Sequence, residues 1–135
     1  LWLSPRIAAD TQSSDYLRFY TGAPSSAPSG AAFALIDAQD GVDLSQFAQG
    51  TAEYPDRSTT LILLCDSLDT NGPLTLAGPG IKGATRFGFA PMTNGFLAQW
   101  ALNRAGFPLG VDLILAAGDR MGCLLRSSRI LNEAV

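Results

Sequence analysis

The chain has 135 residues, of which 47% are apolar and only 16% charged, against about 25% charged in an average globular domain. That length fits one domain, expected over residues 1–135, and the apolar content excludes a disordered chain because enough surface exists for burial to offset ordering entropy. The net charge is −3, and the nine basic residues, eight of them arginine, are scattered. Without a cationic cluster to displace counterions from a phosphate backbone, nucleic-acid binding is not expected.

Histidine is absent. This removes Ser-His-Asp and Cys-His nucleophile systems and histidine-based metal sites. The two cysteines, Cys65 and Cys123, stand far apart in apolar runs and are expected as buried free thiols of a cytoplasmic protein. No apolar run approaches the ~20 residues that cross a bilayer, so no membrane role is expected. The shortage of charge instead points to a subunit that hides part of its exterior against a partner.

In chain order, Leu1-Trp2-Leu3 reads as a strand ended by Ser4-Pro5. Because the chain opens inside a strand and without an initiator methionine or basic leader, it is expected to be a fragment lacking an N-terminal segment. A helix is predicted from Asp10 to Tyr20, with Asp10 or Thr11 at its start and Gly22 and Pro24 at its end. Residues 23–30 form a small polar loop. A strand is predicted over Ala31–Ile36, a short helix over Asp43–Gln49, and the strongest strand over Thr59–Cys65. Asn71-Gly72 precedes the strand Leu74–Ala77 and reads as a type I′ hairpin turn, since both residues tolerate positive φ. An irregular stretch follows to Met92. A helix is predicted over Thr93–Arg104, with Phe96, Leu97, Trp100 and Ala101 on one face and Gly106 as a left-handed cap. Phe107-Pro108-Leu109-Gly110 then turns the chain into the strand Val111–Ala116, and Gly118-Asp119 turns it again into Met121–Leu125. Strands alternating with helices, interrupted by two hairpins, predict an α/β domain with a mixed sheet.

Several residues invite a chemical reading. Gly78-Pro79-Gly80-Ile81-Lys82-Gly83 matches G-x-G-x-x-G after a strand. A dinucleotide site needs a helix to start there, and Pro79 removes an amide while Thr85–Pro91 has no helical pattern. A tight corner at a hairpin end accounts for it better. Lys82 is the single lysine and lies in a Gly-flanked loop, which suits a solvated side chain better than a Schiff base. Asp66 and Asp69 read as turn acceptors rather than a metal or proton-transfer pair. Arg120, Arg126 and Arg129 read as a solvated face, with a partner surface as the second reading. Asp112 sits between Val111 and Leu113 in an apolar strand. A carboxylate there must be paired or must cap backbone donors, so it either accepts from the Pro108–Gly110 turn amides or belongs to a shared active site.

Leu17-Arg18-Phe19, Gly50-Thr51-Ala52, Thr60-Leu61-Ile62-Leu63, Leu76 through Gly78-Pro79-Gly80-Ile81, and Phe107-Pro108-Leu109-Gly110-Val111-Asp112-Leu113-Ile114-Leu115 occur in this order. Together they closely resemble the PhnH family, the H subunits of bacterial carbon–phosphorus lyase systems, and the resemblance runs through the whole chain. It implies a three-layer α/β/α fold with a mixed sheet, similar to the pyridoxal-phosphate-dependent transferases but without pyridoxal phosphate, metal or other cofactor. It implies a cytoplasmic accessory subunit, homodimeric alone and joined to G, I and J subunits in a core complex. That complex transfers an alkylphosphonate to the ribose C1 of ATP and displaces adenine. No catalytic residue is established for H subunits, so none is carried over. Gly78, Pro79, Gly80, Pro108, Gly110 and Asp112 stand as motif residues of unassigned role. The rival from another class is a direct small-molecule binder in which the Gly78–Gly83 corner and nearby arginines hold a nucleoside triphosphate.

Overall fold

Alternation in the strands sets the architecture. In Phe33–Asp37 (β2), Thr60–Leu64 (β3) and Asp112–Ala117 (β6), every second residue is fully buried, namely Ala34 and Ile36, Leu61 and Leu63, and Leu113 and Leu115. A computed structural model, which describes residues 1–131, places these strands side by side and in parallel. Trp2–Leu3 (β1) extends the sheet parallel to β2, and Arg120–Leu124 (β7) closes the other edge antiparallel to β6. The result is a five-stranded mixed sheet in the order β1-β2-β3-β6-β7. Ser67–Ala77 (β4), Thr85–Ala90 (β5) and Arg129–Ile130 (β8) form a second, antiparallel sheet in the order β5-β4-β8.

Among the described residues three α-helices accompany the sheets: Pro5–Ala9 (α1), Thr11–Thr21 (α2) and Phe96–Ala105 (α3). The core lies between one face of the main sheet, α3 and the second sheet. Phe96 and Trp100 of α3 pack there with Leu74, Leu76 and Phe89, and the Phe89 and Phe96 rings meet edge-on at 5.2 Å. The helix α2 buries none of its residues.

Several expectations change in three dimensions. Asn71-Gly72 is not the turn of a hairpin. Asp69 pairs with Gly88 and Leu74 with the adjacent Phe87, so residues 70–73 bulge out of a strand that returns to the same partner. The turn chemistry is present, since Asp69 Oδ1 accepts from the Asn71 amide at 2.8 Å, but it serves the bulge. The partner, β5, occupies Thr85–Ala90 where an irregular stretch was expected, because its Phe87 and Phe89 alternate inward while Gly88 admits the bulge. The hairpin loop of this pair is residues 78–84, and the β6–β7 hairpin at Gly118-Asp119 forms as predicted.

The third helix starts at Phe96 rather than Thr93, because Gly95 holds φ +85° and Thr93 closes a turn onto the Phe96 amide. Gly106 caps it in a right-handed conformation, φ −80°, and the positive φ falls on Gly110 instead. The expected helix Asp43–Gln49 is reduced to a single 3₁₀ turn, Leu44–Gln46, since Gln49 bridges to Ser58. α1 and β8 were not anticipated. Neither cysteine is buried: Cys65 is half-buried, and Cys123 is exposed because Leu124, its neighbour on edge strand β7, takes the core position.

Candidate functional site

Asp112 begins β6 on the face away from the core, and its partner is Arg126 rather than the Pro108–Gly110 amides. Asp112 Oδ1 accepts from the Arg126 amide at 2.8 Å and from Nε at 3.1 Å, while Oδ2 accepts from Nη2 at 2.7 Å. This is a two-pronged guanidinium–carboxylate pair, the strong form of the interaction. The remaining donors of Arg126 go to the Pro55 carbonyl at 2.7 Å, the Pro108 carbonyl at 3.5 Å and the Ser58 hydroxyl at 2.5 Å. All five guanidinium N–H groups are therefore engaged, and none remains for a phosphoryl oxygen. Burial pushes the Asp112 carboxyl up, but hydrogen bonds and charge from Arg126 outweigh that and hold it below its ordinary value.

Gly110 and Pro108 lie beside the same cluster for a different reason. The amide group of buried Asn103 acts as a surrogate strand: Val111 N donates to its Oδ1 at 2.9 Å, and its Nδ2 donates to the Val111 carbonyl at 3.0 Å. Gly110, at φ +131°, permits this approach, since a Cβ there would stand 2.9 Å from Asn103 Oδ1. Gly78, at φ +152°, packs against Ser127 and Ser128, which a Cβ would meet at 3.1 Å. Trp100 Nε1 donates to the Ser128 carbonyl at 3.1 Å.

Gly78 of the first motif group, and Pro108 and Asp112 of the second, thus meet the segment Arg126–Ser128. Sequence reading placed Arg126 on a solvated face and missed Asn103 and Ser58. The polar residue on the buried side of the α3 pattern was the signal available for Asn103. Pro79 and Gly80 stay exposed on the 78–84 loop, as does Lys82. Among the described residues, no group of three or more Cys, Asp or Glu side chains is close enough to hold a metal.

Away from this cluster, the second face of the main sheet is apolar and incompletely covered. Registered residues Leu35, Ile62, Ile114 and Cys123 form one row, and Leu64, Ala116 and Met121 lie in the next. Met121 is 72% exposed and Phe33 52%. The helix α2 shelters only the β1–β2 side, leaving a groove of about 490 Å³ lined by Leu17, Phe33, Leu35 and Ile62. Its own Tyr16, Phe19 and Tyr20 form an exposed aromatic cluster. Apolar exposure of this extent marks an interaction surface.

Residues 1–131 match the family model of the bacterial phosphonate metabolism protein PhnH. Over 137 aligned residues the chain is 39% identical to the alpha-D-ribose 1-methylphosphonate 5-triphosphate synthase subunit PhnH of Rhizobium meliloti (strain 1021), covering 98% of this chain and 67% of that protein. It is 31% identical over 118 residues to the putative C-P lyase subunit protein HtxG of Stutzerimonas stutzeri, covering 87% of this chain and 60% of that one. The chain thus spans about two thirds of the length of these relatives. No helix among the described residues is long and apolar enough to cross a membrane. The match along the described length and the identity to the Rhizobium protein place this chain in the PhnH family of bacterial phosphonate metabolism proteins.

Proposed function

We propose that this chain acts as an accessory subunit of a carbon–phosphorus lyase core complex, the ribose 1-methylphosphonate 5-triphosphate synthase, in organic phosphonate catabolism. The observation that carries this reading is the 39% identity, over 98% of the chain, to a protein named as the PhnH subunit of that synthase. Two features support it. The chain lacks histidine, and three of its motif residues, Gly78, Pro108 and Asp112, meet segment 126–128 in packing or hydrogen bonding. The uncovered second face of the main sheet offers the apolar surface that a subunit buries in assembly.

The finer form of the proposal follows the family resemblance. The complex is cytoplasmic and contains G, I and J subunits, the isolated H subunit is a homodimer, and the assembly performs the transferase step that precedes C–P bond lysis. The domain adopts a three-layer arrangement akin to the pyridoxal-phosphate-dependent transferases, without that cofactor. The mixed sheet is in keeping with this, and its open face is where a further helical layer would lie.

The test is to co-purify the full-length chain with tagged G, I and J subunits and to measure phosphonate-dependent adenine release with and without it. Stable co-purification with release that depends on this chain is expected. Adenine release by the isolated chain, or failure to associate at high concentration, would overturn the proposal.

A further inference from the structure

At the end of the main sheet where β3 and β6 begin, Arg126 joins two loops that are far apart in the chain. Its Nη1 donates to the Pro55 carbonyl at 2.7 Å and to the Pro108 carbonyl at 3.5 Å, and its Nη2 donates to the Ser58 hydroxyl. Residues 50–57 form a ribbon, closed at its base by the Gln49–Ser58 bridge and at its tip by the hydrogen bonds that Thr51 and Tyr54 exchange. The Gly110 amide donates to the Gln49 carbonyl at 2.9 Å, so the 107–110 turn is also bonded to the base of the ribbon. A Cβ on Gly50, at φ +81°, would stand 2.6 Å from the Pro55 carbonyl oxygen, which leaves the ribbon little room to change shape.

Each loop presents an aromatic ring stacked by a guanidinium. Arg57 Cζ lies 3.7 Å from the Tyr54 ring centroid, and Arg104 Cζ lies 4.9 Å from that of Phe107. Tyr54 and Phe107 directly precede the two prolines that Arg126 holds, and both residues stay close to half exposed, as does Leu125 beside Arg126. Stacking leaves the in-plane N–H donors of a guanidinium free. Neither Arg57 nor Arg104 has a hydrogen-bond acceptor or a carboxylate partner among the described residues, and Glu53 and Asp56 of the ribbon form no ion pair with them. Tyr and Arg are enriched among the residues that dominate binding energy at interfaces, and Phe among interface residues generally. Groups already fixed in place also lose little entropy on association.

We propose that the Tyr54–Arg57 ribbon tip, the Arg104–Phe107 turn and Leu125 form a docking surface for a partner protein, met by a segment that carries carboxylates beside apolar side chains. The carboxylates pair with the free edges of Arg57 and Arg104, and the apolar side chains cover Tyr54, Phe107 and Leu125. Both stacks flank the one Arg126 side chain, which sets them within the roughly 800 Å² per partner of an interface of ordinary size. The surface is distinct from the open face of the main sheet, whose Leu64 and Met121 lie toward the opposite end of β3 and β6. It rests on the subunit reading and adds to it a second contact and the chemistry of what meets it.

The test uses the full chain with tagged G, I and J subunits. Arginine modification by phenylglyoxal, followed by peptide mass spectrometry with Arg86 of β5 as internal reference, should label Arg57 and Arg104 at least about fivefold more slowly in the assembly than in the free chain. Recovery of the Arg57→Gln, Arg104→Gln double variant should fall about tenfold, and that of the Arg57→Glu, Arg104→Glu variant at least about tenfold further, because partner carboxylates then face like charge. The labelling is done on the parent sequence and stands whether or not a variant folds. Assembly in which Arg57 and Arg104 label as fast as in the free chain, or undiminished recovery of the glutamate variant, would overturn the surface. Equal recovery of the glutamine and glutamate variants would overturn its acidic complement. Failure of the parent chain to co-purify would overturn the subunit reading, and the surface with it.

Discussion

At Asp112 the balance between burial and pairing decides the outcome. Its side chain is 25% exposed and that of Arg126 13%, so the pair is sheltered enough for its hydrogen bonds to count but wet enough for solvent to screen it. Asp112→Asn keeps the shape and removes the charge. The expected result is a loss of about 1–2 kcal/mol, read as a lower melting temperature, with the activity of the assembled complex unchanged. Because Arg126 holds the carboxyl below its ordinary value, the stabilisation is complete above the unfolded pKa of about 4 and disappears as pH falls through the lower folded value. Acid titration of stability should therefore be shallower in Asp112→Asn than in the parent. The cysteines differ in the same spirit. Burial, with the nearby charge of Asp66 added, pushes the Cys65 thiol up to about 11, whereas Cys123 is exposed. Labelling with iodoacetamide at neutral pH should modify Cys123 well before Cys65, and mass spectrometry of the tryptic peptides would show the order.

At the scale of elements, two close approaches hold the strands in place. A Cβ on Gly72 would strike the Gly88 backbone, and one on Gly88 would strike the Pro73 ring. Gly72→Ala must therefore shift β5, and a cost of about 2–4 kcal/mol is expected from urea unfolding, more than a simple change of turn propensity would give. Asn71-Gly72 was legible as a place where the chain departs from regular structure. It was not legible as a bulge, because the choice between a hairpin turn and a bulge depends on which strand lies opposite, and Phe87–Phe89 is far along the chain. The second approach is Gly110 against Asn103. Asn103→Leu keeps the branching of the side chain but leaves the Val111 amide and carbonyl unpaired in a buried place, with an expected loss of about 2–3 kcal/mol.

For the whole molecule, the governing feature is a sheet with apolar residues on both faces and a full complement of packing on only one. Strands buried on both sides read as continuous apolar runs, and Thr60–Leu64 and Asp112–Ala117 are written that way. Met121→Glu combined with Leu64→Glu places charge on the open face without touching the core. The melting temperature of the isolated chain should stay within error, whereas recovery of the chain with tagged partner subunits should fall at least about tenfold. Retained recovery would show that assembly uses another surface.

What the amino-acid sequence determined alone was local or compositional. Short continuous apolar runs placed β2, β3 and β6, Gly118-Asp119 placed the last hairpin, and the absence of histidine excluded whole classes of chemistry. Tertiary structure decided everything that depends on pairing across distance. The Asp112–Arg126 pair, the Asn103 clamp on Val111 and the approach of Gly78 to Ser127 and Ser128 join residues whose one-dimensional signals are weak. The role of a polar side chain depends on the partner that desolvation obliges it to find, and that partner is known only when the chain has folded.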